Sequence, residues 1–202
     1  MVKFAEKEAD TLKKEYIEKY LNGFESERLI MRPFAKGDEQ DIYDYARDPD
    51  VGPHAGWKPH DSIEESSSVL KMFMDTKDEL TFALVDRETG KVIGSLGLMK
   101  DFRRQGNKIL EIGYALGKAY WGRGLMTEAV KAALKFGFGE LGLEMITIYH
   151  FDYNRRSRRV IEKCGFKYEG TLRGGSKIYD GRVYDCFCYS MTREEYEGKE
   201  RE

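Results

Sequence analysis

Apolar positions along this chain switch between two periods, and the switches mark its elements. Over residues 2–21, Leu12, Tyr16, Ile17, Tyr20 and Leu21 form a stripe among glutamates and lysines, and Asn22-Gly23 ends it. That spacing predicts one amphipathic helix. It divides the chain into an N-terminal helical extension, 1–24, packed on the domain or on a partner, and a domain over 25–202. A run at 29–32 predicts the first strand, closed by Pro33; Asp38 is placed as the cap of a helix reaching Arg47 and broken by Asp48-Pro49-Asp50. Ser62-Ile63-Glu64-Glu65 has capping-box spacing and opens a second helix to about Thr76. Residues 81–85 and 92–98 read as strands around a turn at Glu88-Thr89-Gly90-Lys91, and 109–116 as a fourth strand. Met126, Val130, Ala133 and Leu134 return to helical spacing over 125–139. Residues 145–151, rich in β-branched and aromatic side chains, form the fifth strand. A last helix starts at Asn154 and stops at Gly165, and two strands flank Asp180-Gly181.

Strands and helices alternate only in part, so the class is α/β (α+β) with a mixed sheet of about seven strands. The length suits one domain with its own core. A charged fraction of 35% beside 13% aromatics is a globular composition, and a net charge of −2 gives no field that would favour nucleic acid or membrane. Cys164, Cys186 and Cys188 are too few and odd in number for a disulfide framework and read as packing residues. His54, His60 and His150 are scattered without metal-ligand spacing, so no metal is expected. Neither a signal peptide nor a long apolar run stands in the sequence, which makes the cytoplasm the default location.

The most informative stretch is Tyr120-Trp121-Gly122-Arg123-Gly124-Leu125-Met126-Thr127, between the fourth strand and a helix. Such a junction aims backbone N–H groups and the positive end of a helix dipole at one spot, and glycines leave that backbone open. It reads as a phosphate or diphosphate cradle, or as a turn and nothing more. It is no P-loop, because no Gly-Lys-Ser/Thr follows, and no dinucleotide fingerprint, because a third glycine is missing.

A second stretch decides between them. Asn154-Arg155-Arg156-Ser157 and Lys163-Cys164-Gly165-Phe166 follow, with Glu25-Ser26-Glu27-Arg28-Leu29 and Glu111-Ile112-Gly113-Tyr114 before, and Asp180-Gly181-Arg182 with Asp185 after. Taken in this order, over about residues 25 to 192, these motifs resemble the Gcn5-related N-acetyltransferases (GNAT), and within them the RimJ/RimL branch. The resemblance implies a mixed, mostly antiparallel sheet splayed between its fourth and fifth strands. It also implies acetyl-CoA as co-substrate and a primary amine, on a small molecule or a protein N-terminus, as acceptor. By the same resemblance the cofactor meets Gly122, Arg123, Gly124, Leu125, Met126 and Thr127 at the cradle, the main chain of Ala115 and Leu116, and Asn154 and Ser157 on the last helix. Gly113 fits a backbone irregularity beside the pantetheine arm.

Acetyl transfer also needs a proton acceptor for the amine and a hydrogen bond for the leaving thiolate. Glu111 occupies the strand position where histone acetyltransferases of the superfamily keep their base; the alternative is a buried carboxylate satisfied by a neighbour. The family tyrosine that protonates the thiolate falls on Ile161, which has no proton to give; the resemblance to the branch implies Ser157, one turn earlier on the same face, as its replacement. Trp57, His60, Tyr114 and Tyr149 are candidates for the acceptor wall. Ala119 replaces the Arg or Gln usual before the cradle, and Ser176 stands where the branch sometimes has a carboxylate. Arg155, Arg156, Arg158 and Arg159 are either a solvated basic face or partners of a further phosphate. The competing function is a silent CoA-binding or small-molecule-binding sensor on the same fold. Monomer and homodimer are both open.

Overall fold

The computed structural model describes residues 16, 18–76, 79–106 and 108–199. Most of the predicted N-terminal helix, Leu12 and Ile17 included, lies outside them. Its end is helical over 18–22 and packs on this chain's own core: Tyr16 is buried, and Tyr20 donates to the Thr81 carbonyl at 2.8 Å and meets Phe82 edge-on at 4.9 Å.

Eight strands form one sheet. β1 (Phe24–Glu25), β2 (Leu29–Pro33), β3 (Glu79–Asp86), β4 (Val92–Lys100) and β5 (Ile109–Leu116) are followed by β6 (Met145–Phe151), β7 (Lys167–Lys177) and β8 (Val183–Thr192). Their spatial order is β1-β2-β3-β4-β5-β6-β8-β7, antiparallel at every step except the parallel pair β5–β6. The sequence reading misses only the two-residue β1, too short to show a period. The helices are α1 (Glu39–Ala46), the single turn α2 (Gly52–Ala55), α3 (Ile63–Asp75), α4 (Leu125–Lys135), α5 (Arg155–Cys164) and α6 (Arg193–Lys199). The sequence reading assigned neither α2 nor α6. Among the described residues, no helix is long and apolar enough to cross a membrane.

The sheet is covered on both faces, and the alternation along each strand sorts its side chains. Met31, Leu84, Leu96, Ile112 and Ile148 meet Leu125, Ala129, Ala133 and Ile161 of α4 and α5 on one face. Ala83, Val85 and Ala115 meet Ile42, Tyr45 and Leu70 of α1 and α3 on the other. Two-sided burial explains why β3 reads as a continuous apolar run rather than an alternating one.

Two caps differ from expectation. Asp38 caps nothing with its side chain; its carboxylate forms a two-pronged pair with Arg32 at 2.7 and 2.8 Å and accepts the Ala35 amide. The Ser62 hydroxyl accepts the Glu65 amide, while Glu65 reaches back to the amide of Asp61 rather than Ser62.

Two histidines are buried as packing groups. The His60 ring bonds Ser66 Oγ at 2.8 Å, and the His150 ring bonds the Phe151 carbonyl at 2.8 Å. Burial holds both below the ordinary histidine range. A depressed pKa means that the unfolded chain binds the proton first, so the stability these rings contribute is complete above about pH 6.5 and is lost as pH falls through the folded values. Melting temperature is therefore expected to drop between about pH 7 and 5, and replacing both histidines with glutamine should flatten that limb; an unchanged limb would contradict the assignment.

Candidate active site

The β5–β6 ladder is short. Ile109 pairs with Met145 and the register runs to Ile112 with Ile148, but Gly113 to Leu116 find no partner in β6, which turns to β8 alone. The sheet opens there. The β4–β5 ladder stays in register past Gly113, so the irregularity expected at that residue is the opening itself and not a bulge. Gly113 and Gly97 face each other across β4–β5, and their missing side chains leave room for the Met99 methyl, which lies 3.0–3.1 Å from where their Cβ atoms would be.

The ladder also decides which peptide groups face the gap. The Gly117 amide donates to the Ile93 carbonyl at 2.8 Å. Alternation in an antiparallel pair then commits the peptide groups of Ala115 to Ser95 and turns those of Tyr114 and Leu116 into the opening. Trp121 Nε1 donates to the Leu116 carbonyl at 2.7 Å, which leaves the Leu116 N–H as the donor at the strand end. Of the main-chain pair Ala115 and Leu116, the peptide groups of Leu116 turn to the gap and those of Ala115 turn to β4, while both residues line the cavity wall.

On the α4/α5 side of the gap lies a cavity of about 390 Å³. The glycine turn forms one end. Gly122 and Gly124 have φ of 75° and 80°, a left-handed backbone that glycine adopts without strain. Gly124 precedes α4 without a side-chain cap, and the first helical bond is from the Glu128 amide to the Gly124 carbonyl. The amides of Leu125, Met126 and Thr127 have no acceptor among the described residues, and all three residues line the cavity. Three orphan donors at a helix N-terminus suit an anion. Arg156, Arg159 and Lys163 line the same cavity from α5 and add positive charge. Arg123 does not line it: its guanidinium lies over the Tyr120 ring at 5.5 Å, and its carbonyl accepts from Arg28.

Asn154 and Ser157 stand at the gap. Asn154 caps α5, its Oδ1 accepting the Ser157 amide at 3.1 Å, while its Nδ2 donates to the His54 carbonyl at 3.0 Å. One N–H and one lone pair of the amide remain. Ser157 Oγ is 2.8 Å from the Tyr114 hydroxyl. Burial pushes the Tyr114 phenol upward, so it stays protonated, and either hydroxyl of the pair can donate to the other. Ile161, one turn on, is sealed in the core.

On the α1/α3 face, a second cavity of about 290 Å³ reaches the same gap. Trp57, Phe73, Tyr149 and Phe151 wall it, Gly97 and Gly113 form its floor, and Glu79 and Glu111 bring carboxylates. Trp57, Tyr114 and Tyr149 line it. His60 does not; it is buried beneath Trp57, ring to ring at 5.4 Å, and held by Ser66. Glu111 is buried and paired with Arg103, whose guanidinium also lies 4.7 Å from the Tyr149 ring centre. Glu111 is thus a paired buried carboxylate that also borders this cavity. Its Oε1 has no hydrogen bond among the described residues.

The sequence reading left out Phe73, which α3 carries to the cavity, and Glu79 and Met99, which sheet register brings there. Helical spacing could have divided the arginine cluster: Arg156, Arg159 and Lys163 share the cavity face, whereas Arg158 points away to pair with Glu162. Among the described residues no cluster of metal-ligating side chains occurs.

A family model described as an acetyltransferase (GNAT) domain matches residues 28–167. An uncharacterized N-acetyltransferase, p20, of Bacillus licheniformis is 31% identical over 86% of this chain and 97% of its own. The ribosomal protein uS5-alanine N-acetyltransferase of Escherichia coli is 28% identical over 55% of this chain and 56% of its own. The crystal structure of a GNAT-family acetyltransferase from Bacillus anthracis superposes with a TM-score of 0.76 at 26% identity, covering 86% of this chain and 99% of that one.

Proposed function

Because this chain belongs to the GNAT acetyltransferases, a family that transfers acyl groups from acetyl-CoA, we propose that it moves the acetyl group directly onto a primary amine of a small molecule or a protein N-terminus. One observation carries the reading: the β5–β6 ladder stops at Ile112 and Ile148, and a cavity with orphan amides and cations meets one with aromatic walls and carboxylates at that break.

The amides of Leu125, Met126 and Thr127 hold the diphosphate of coenzyme A, with Arg156, Arg159 and Lys163 as counter-charges. The peptide groups of Tyr114 and Leu116 take the arm as an added strand would. The Leu116 N–H supplies the hydrogen bond to the acetyl oxygen as negative charge develops there. Glu111, whose Oε1 has no hydrogen bond among the described residues, draws the ammonium group in. Ser157 donates to the leaving thiolate, and Tyr114 donates to Ser157, which turns the serine proton toward the sulfur.

A thiol is acidic enough to leave without full proton transfer, so the serine effect is modest. Ser157→Ala is expected to lower kcat about tenfold, in line with the loss of one hydrogen bond to a charged group (~1.5 kcal/mol). Tyr114→Phe should cost a similar factor, and the double variant little more, because the two hydroxyls act in series. Independent, multiplying effects on kcat would contradict the pairing.

Incubation of the protein and acetyl-CoA with a broad amine panel tests the function: thiol release with at least one amine is expected. The Arg103–Glu111 pair and Ile161 favour one other reading, a silent sensor. It requires tight acetyl-CoA binding with no thiol release from any amine.

A further inference from the structure

We infer that His54 is the catalytic base that takes the proton from the incoming ammonium; this rests on the acetyl-transfer reading above. Six residues line both cavities: His54, Ala55, Tyr114, Ala115, Asn154 and Ser157. Thioester and amine must meet among them. Only one of the six carries an imidazole, the side chain that most often serves as a general base, and that is His54. Glu111 lines the acceptor cavity but not the one at α4, and it is committed to Arg103.

The surroundings of the ring fix its tautomer. His54 Nδ1 lies 2.8 Å from the Asp50 carbonyl oxygen. A carbonyl oxygen only accepts, so Nδ1 carries the hydrogen and the neutral ring presents Nε2 as a bare lone pair. Nε2 has no hydrogen bond among the described residues, and it is not among the side-chain atoms sealed from solvent without a partner. The ring is held by aromatic neighbours, Tyr153 at 5.6 Å and Trp121 at 6.3 Å. The backbone of His54 is tied to the thiolate side of the gap by Asn154, which donates to its carbonyl.

The charged and titratable groups around the ring are few. Asp50, on the same turn, has its carboxylate paired with Lys118, which lowers the carboxylate's pKa and raises the ammonium's. Arg156 of α5 is stacked on Trp121 at 4.1 Å. Tyr153, pushed up to about 12 mainly by burial, donates to the Pro53 carbonyl. Tyr114 of β5 is occupied by Ser157.

In the step assigned to it, Nε2 accepts one proton from the ammonium. The freed lone pair forms the C–N bond at the acetyl carbon, and the C–S bond breaks. The second amine proton passes to the sulfur, beside Ser157, and the imidazolium returns its proton to solvent.

Two measurements decide. Side-chain ¹⁵N NMR at neutral pH should show His54 with Nδ1 protonated and Nε2 bare; the opposite tautomer overturns the assignment, whatever the activity. In kinetics, His54→Gln should lose about 100-fold or more in kcat/KM near neutrality, the usual weight of a general base. That loss should shrink as pH rises toward the pKa of the acceptor amine, because the neutral amine then needs no base. A constant loss at every pH, or a pH-dependent loss that appears in Glu111→Gln instead, overturns it. Wild-type activity with an unchanged His54→Gln profile sinks this inference alone; a silent wild type sinks the acetyl-transfer reading and this inference together.

Discussion

Replacing Gly124 with aspartate is expected to weaken acetyl-CoA binding by about 100-fold or more while the fold survives. The residue precedes α4 at a φ of 80°, where an added Cβ would come no nearer than 3.7 Å to any atom, the Arg28 guanidinium. Steric room is therefore available, and left-handed backbone costs a non-glycine residue about 1–2 kcal/mol, with aspartate among the more tolerant. For a chain of this size that is a few degrees in melting temperature, at ~2–4 °C per kcal/mol. The effect on the donor is larger. A carboxylate would sit beside the orphan amides of Leu125, Met126 and Thr127, where the diphosphate needs positive potential. Gly124→Asn, equal in size and uncharged, should fall between wild type and aspartate. Calorimetric titration reads all three; equal affinities would mean that the diphosphate binds elsewhere.

Gly94→Ala is expected to damage both stability and turnover without touching any ligand. An added Cβ would lie 2.3 Å from the Ala115 carbonyl oxygen and 3.0 Å from Leu116 Cα, and both are backbone. Neither can swing aside as a side chain would, so β4 and the end of β5 must separate. Overpacking of this kind costs about 1–3 kcal/mol, and a backbone collision belongs at the upper end. Melting should fall by about 6–12 °C at ~2–4 °C per kcal/mol. The displaced segment contains the Leu116 N–H, and loss of one such donor costs ~10²–10³ in kcat. Binding of acetyl-CoA should change much less, because the cradle at α4 is not moved. Gly139→Ala, with nothing within 4 Å of the new Cβ, is the control. A Gly94→Ala protein with normal kcat would show that the strand end does not position the oxyanion donor.

The sequence made most of the fold legible because its signals are local. Period-two and period-3.6 patterns located the longer strands and α1, α3, α4 and α5, and the positive-φ glycines at 122, 124 and 165 punctuated them where expected. The glycine turn was legible for the same reason: a turn before an apolar helix is contained in one stretch of chain. What escaped was set by register and by contacts distant in sequence. Which of Ala115 and Leu116 turns its amide to the gap depends on the phase of the β4–β5 ladder. Glu79 and Met99 join the acceptor cavity only because β3 and β4 lie beside β5. Arg103 reaches Glu111 from a loop that carries no pattern. His60 looked like a site residue beside Trp57, but a histidine next to a buried serine is a packing group. His54, from the same loop, comes to the gap through the tie between its carbonyl and Asn154, and no spacing in the sequence announces that bond.

The central claim is that main-chain donors at the mouth of the β5–β6 gap grip the acyl carrier. Amide NMR of the labelled protein during titration with coenzyme A tests it at the atoms concerned. The account predicts large shifts and slowed exchange at Leu116, Leu125, Met126 and Thr127, with saturation at one equivalent. Coenzyme A that binds while those four amides stay unmoved, or fails to bind the folded protein at all, would contradict it.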